Sequence, residues 1–79
     1  MRKVELVPVD SHKSFYGKAV IELNDDGSEV LLSYNTRIIK KNTDGSLTRL
    51  WSGWSATTGR HIAAFCGLNK AAFTALPVA

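Results

Sequence analysis

Seventy-nine residues with a formal charge of +3, ten Lys and Arg against seven Asp and Glu, describe one small domain whose single core is barely large enough to be stable alone. A content of 44% hydrophobic and 22% charged residues with two prolines belongs to a folded domain rather than a disordered tail, and the basic excess falls short of a dedicated nucleic-acid binder. The single cysteine, Cys66, excludes an internal disulfide and leaves too few ligands for a closed zinc site, while the longest apolar runs fall well short of the ~18 residues a membrane helix needs.

The first strand is expected over residues 3–7, where Val4 and Leu6 alternate with Lys3 and Glu5 until Pro8 and a polar run interrupt them. Residues 18–23 alternate more cleanly, with Ala19, Ile21 and Leu23 on one face, and Asn24-Asp25-Asp26-Gly27-Ser28 then supplies a turn with a glycine for positive φ. Residues 29–41 run without glycine or proline and carry apolar side chains mostly at even positions; they predict one long strand, or two joined by a bulge near Asn35 and Thr36.

Asp44-Gly45 predicts a tight hairpin turn with both central residues at positive φ, returning into a strand over 46–51. Arg37, Lys40, Lys41 and Arg49 then face one another across that hairpin and are expected to keep it solvated.

Beyond Gly53 the apolar period changes from two to about 3.6, which predicts a helix over 56–66 with Thr58, Ile62, Phe65 and Cys66 on one side. Ser55, Thr57 or Thr58 can cap its start, and Gly67 is suited to the position just past its end. Asn69 caps a second helix over 70–76, and Pro77 stops it. Strands followed by helices give an α+β fold: a small antiparallel meander of four or five strands, with closure into a barrel left open, and two C-terminal helices packed on one face. The chain reads as one domain over 1–79, without internal repeats, low-complexity tracts or linkers.

Chemistry is hard to place on this frame. His61 and Cys66 are five apart on the first helix and point apart, and Cys66 falls in the apolar stripe. Ser33, Ser52 and Ser55 lack a nucleophile elbow, and Asp25 with Asp26 reads as a solvated turn. No catalytic, metal or cofactor site is expected. Gly59, Thr57, Thr58 and Arg60 at a helix start attract anions in principle, but the phosphate-loop spacing is absent and capping explains them.

Residues 59–78 fit a helix-turn-helix corner at several positions. Its base-reading side chains would be Lys70, Ala71, Thr74 and Ala75, a poor set for the purpose, so an αα corner on a sheet is preferred. Trp51 and Trp54 are the strongest interaction signal, with one expected buried and the other partly exposed beside Arg49 or Arg60.

The blocks Leu32-Ser33-Tyr34-Asn35-Thr36, Arg49-Leu50-Trp51, Gly53-Trp54-Ser55-Ala56-Thr57-Thr58 and Arg60-His61-Ile62 resemble a group of very small phage- and prophage-encoded proteins of unknown function, over about residues 15 to 77. The resemblance implies a phage-type accessory protein in a bacterial cytoplasm and supplies no catalytic residue. The expectation that follows is a non-enzymatic protein that binds a host or phage macromolecule, most readily a protein, through Tyr34, Asn35, Arg37, Trp51, Trp54, Arg60 and His61, with a host defence complex among the candidate targets. The rival is a nucleic-acid binder using the helical corner and the basic hairpin. An unpaired edge strand would also allow a homodimer.

Overall fold

Two five-residue turns of the same chemistry frame the sheet. In the computed structural model, which describes residues 2–5 and 18–78, they join β2 (Ala19–Leu23) to β3 (Glu29–Ser33) and β4 (Thr36–Lys41) to β5 (Leu47–Arg49). In the first, Gly27 N–H donates to Asn24 O at 3.0 Å and Asn24 N–H to Ser28 O at 2.9 Å, while Asp26 Oδ1 accepts from Ser28 N–H at 2.8 Å and Ser28 Oγ at 2.6 Å. In the second, Asn42, Asp44, Gly45 and Ser46 make the same four bonds at 3.0, 2.8, 2.9 and 2.6 Å. The pattern Asn-x-Asp-Gly-Ser therefore does recur, at turn scale, in a chain read as free of repeats.

In each turn only the glycine has a positive φ, 93° at Gly27 and 89° at Gly45. Asp44 does not, so the expected two-residue Asp-Gly turn is corrected to a three-residue loop closed by a left-handed glycine.

The two-residue turn lies elsewhere. Tyr34 (φ 52°) and Asn35 (φ 67°) are the non-glycine residues at positive φ among those described, and Ser33 pairs with Thr36 around them. The long strand expected over 29–41 is thus two strands of a tight hairpin. Asn tolerates this conformation, whereas a bulky tyrosine there costs about 1–2 kcal/mol, which is why propensity alone does not reveal the turn.

The bulge is real but displaced. Leu31 pairs with Ile39 and Leu32 with Arg37, leaving Ile38 as the extra residue, and Ile38 and Ile39 both enter the core at 1% and 0% exposure.

The five strands form one antiparallel sheet in the order β1-β2-β3-β4-β5, with β1 (Arg2–Glu5) and β5 at its edges. It does not close into a barrel. Residues 6 and 7 of the expected first strand, and His12, lie outside the described residues. The strand expected over 46–51 shortens to Leu47–Arg49, because the Arg49 guanidinium draws the carbonyls of Trp51 and Ser52 toward itself, each at 2.9 Å.

Both helices cover one sheet face: Ile62 and Phe65 of α1 (Ala56–Cys66) and Phe73 of α2 (Lys70–Ala75) pack with Ala19, Leu31, Ile38 and Ile39. Full burial of one such side chain contributes about 1.5–3 kcal/mol. The caps are as expected. Ser55 Oγ accepts from Thr58 N–H at 3.1 Å, Gly67 takes φ 77° beyond α1, and Asn69 Oδ1 accepts from Ala72 N–H at 2.8 Å. Among the described residues no helix is long and apolar enough to cross a membrane.

Candidate functional site

The passage from β5 into α1 is built around two glycines that each lie against an indole. A Cβ placed on Gly53 would meet Trp51 Cζ2 at 2.6 Å, and one on Gly59 would meet Trp54 Cζ2 at 2.4 Å. Gly59 therefore serves the packing of Trp54 on the helix, in a position where its own conformation does not demand glycine. Trp54 also meets the Phe73 ring at 5.7 Å between centres. Both indoles end half-buried against the core, so the expectation of one buried and one partly exposed tryptophan is corrected.

Beneath this passage a polar contact ties β3 to α1. The Ser33 and Thr58 hydroxyls hydrogen-bond at 3.0 Å, and Ser33 Oγ lies 2.8 Å from His61 Nδ1. His61 is 1% exposed, and burial, with a smaller contribution from the Arg60 charge, lowers its pKa from the ordinary histidine value. Its place on the binding surface is therefore corrected: it braces sheet to helix from inside. Thr58, His61, Ile62 and Phe65 form the buried stripe of α1. The spacing i, i+3, i+4, i+7 was the signal for it, obscured because imidazole reads as polar.

Arg49 is the other residue turned inward. At 8% exposure its guanidinium donates to the carbonyls of Trp51, Ser52 and Thr74, with a longer contact to Leu76 O at 3.5 Å, and it lies 4.8 Å from the Phe73 ring centre. Sequence reasoning placed it on a solvated basic hairpin, and the structure dissolves that cluster. Arg37 pairs with the buried Glu22 at 3.3 Å, and Lys41 reaches over the Phe65 ring at 5.0 Å. Period two sets Leu47 and Arg49 on one face of β5, and the pairing of Arg49 with the buried Ile39 makes that face the one under the helices.

On the outside, Tyr34, Trp51 and Trp54 line one open cleft of about 330 Å³ whose remaining lining includes Thr36, Ser55 and Thr57. Tyr34, 52% exposed, also borders a second hollow of about 280 Å³ with Asn35 and Lys18. Four of the seven expected surface residues thus gather around the Tyr34 turn. Arg60 is exposed on α1 next to His61, whose ring centre lies 5.9 Å from that of Tyr34, while Arg37 is held by Glu22.

Cys66 donates to Ile62 O at 3.5 Å, and burial raises its thiol pKa, so it sits in the packing as expected. Among the described residues no group of three or more His, Cys, Asp or Glu side chains converges where a metal ion could be held.

The sequence model of a family of unknown function, DUF8033, matches residues 3–74. The chain belongs to this family. No curated protein and no solved structure matches it. The stretch shared with DUF8033 contains the whole aromatic cleft, the Ser33–Thr58–His61 brace and the Arg49 cluster up to Thr74, so the site is built within the family's own span.

Proposed function

We propose that this DUF8033 protein is a non-enzymatic interaction module that docks on another protein through the Tyr34–Trp51–Trp54 cleft. One observation carries the reading: three aromatic side chains line one open cleft, and the most exposed of them, Tyr34, is held outward by a turn that costs conformational energy. Strain of this kind concentrates at functional positions, and rigid Tyr and Trp side chains are the commonest anchors of protein interfaces. The resemblance to small phage proteins extends the reading to an accessory role in a bacterial cytoplasm, with a host or phage protein as partner and a defence complex among the candidates.

Nucleic-acid binding is the weaker alternative. The helix that would enter a groove has six residues, Lys70 is its only charged side chain, and Thr74 Oγ1 bonds back to Lys70 O at 2.8 Å. The basic hairpin that would have supported it is spread over separate contacts.

A photo-reactive phenylalanine analogue introduced at position 34, with the same group at position 43 on the far turn as control, tests the docking surface in bacterial cells. Crosslinking to a defined protein from position 34 and not from 43 is expected. Equal crosslinking from both positions, or none from 34, would overturn the assignment.

A further inference from the structure

Carboxylates gather at one end of the sheet, interleaved there with the cations Arg2, Lys3, Lys40 and Lys41. Asp25, Asp26, Glu29 and Asp44 lie on or beside the two Asp-Gly turns, at the end of the sheet away from Tyr34. Around Tyr34 two exposed cations stand without such interleaved acids on the same strands. Lys18 Nζ lies 5.6 Å from the Tyr34 ring centre, and the exposed Arg60 adjoins His61, which touches the same ring. Glu22, on β2, is buried and paired with Arg37; Glu5, on the edge strand β1, pairs with Val20 beside the second hollow and is not part of the lining of the aromatic cleft. The cleft itself is lined by uncharged side chains, so it is an apolar and hydroxyl-bearing slot with cations beside it.

We propose that the occupant of this cleft is an acidic segment of a partner protein, which inserts one bulky apolar side chain among Tyr34, Trp51 and Trp54 and sets its carboxylates toward Lys18 and Arg60. The proposal rests on the docking reading above and adds the chemistry of the partner. At about 330 Å³ the cleft is at the lower end of the size range of ligand pockets, suited to a side chain and its adjoining backbone. Thr36, Ser55 and Thr57 offer hydroxyls that donate to or accept from that backbone. Cations at the rim of an apolar slot steer an acidic partner and fix its orientation.

Single-stranded nucleic acid fits less well, because bases stack on free ring faces. Trp54 is closed in by Gly59 and Phe73, and Trp51 by Gly53. What the indoles leave open suits the insertion of a side chain better than a stacked base.

Selection of a random displayed peptide library on the purified protein tests this. Enriched peptides are expected to share net negative charge and a Phe, Trp, Leu or Ile. A synthetic peptide of the winning sequence is expected to change the tryptophan fluorescence and to weaken as salt is raised. Its affinity should fall about tenfold or more in the Lys18→Glu/Arg60→Glu variant, whose two substitutions are both at exposed positions. Enrichment of neutral or basic peptides, no enrichment above a blank support, unchanged affinity in the charge-reversed variant, or tighter binding of an oligothymidine than of the winning peptide would each overturn it. A crosslinked partner that meets position 34 with a neutral or basic segment would sink the acidic assignment and leave the docking surface standing.

Discussion

The two ends of the sheet solve the same problem, reversing the chain, by opposite means. At one end, Asn24–Ser28 and Asn42–Ser46 satisfy themselves: glycine takes the left-handed position and each aspartate is occupied by the serine two residues on. At the other, Tyr34 and Asn35 take positive φ without glycine, and the side chains there face outward or toward the helices rather than back onto their own turn. Local satisfaction leaves little for a partner to bind, whereas a turn made from an aromatic residue keeps its chemistry available. The contrast argues for placing function at the Tyr34 end.

The contrast can be broken most severely at Arg49, which holds the chain after β5 against the segment after α2. Arg49→Met keeps the bulk but removes three charge-assisted bonds to partly buried carbonyls; a loss of about 3 kcal/mol is expected from denaturant unfolding, with little change when Lys40 is replaced instead. Gly59→Ala comes next. Alanine gains about 1 kcal/mol in helix propensity, but its Cβ would stand 2.4 Å from the Trp54 ring, so a net loss of about 1–2 kcal/mol and a shifted tryptophan emission are expected. A stabilised Gly59→Ala variant would show that Trp54 is free to move and that the cleft wall is soft.

A gain is expected at Tyr34. Tyr34→Asn relieves the strain of positive φ on an aromatic residue and should raise stability by about 1 kcal/mol, while the crosslinking or peptide binding attributed to the cleft is lost. Stability and binding moving in opposite directions is the signature of a functional turn; a fall in both would mark Tyr34 as structural.

The smallest effects separate the two ends by pH. His61 has a folded pKa below its unfolded value, so its contribution is complete above the unfolded pKa of about 6.5 and declines as pH falls below it. Asp26 and Asp44 are lowered by their Ser28 and Ser46 hydrogen bonds, so their contributions persist until pH falls below the ordinary aspartate value of about 3.8. Stability against pH should therefore fall in two stages, and Ser33→Ala should alter the first stage alone.

The sequence made much of this legible. The α+β order, the limits of α1 and the caps at Asn69 and Gly67 follow from residue types whose preferences are strong and local. The hairpin at Tyr34 escaped because nothing in a Tyr-Asn pair announces two positive φ angles, and the twin turns escaped because Asp-Gly is read for its dihedrals and not for the serine that completes it. His61 and Arg49 are assigned to solvent by residue type, whereas both are buried, at 1% and 8% exposure. His61 finds its hydrogen-bond partner on an element distant in sequence, Ser33, and Arg49 adds the distant Thr74 to the nearby carbonyls of Trp51 and Ser52. Such partners are invisible until the fold is known.

The twin turns have one further consequence, for how the protein ages. An Asp-Gly bond rearranges to isoaspartate when the glycine nitrogen attacks the preceding side-chain carboxyl carbon through a cyclic imide. Here the Gly27 and Gly45 nitrogens are turned to Asn24 O and Asn42 O, and the Asp26 and Asp44 carboxylates are held over the serine beyond. The bonds that close the hairpins occupy both reacting groups, so this damage is expected to accumulate first in molecules that spend time unfolded, at two known places in the chain.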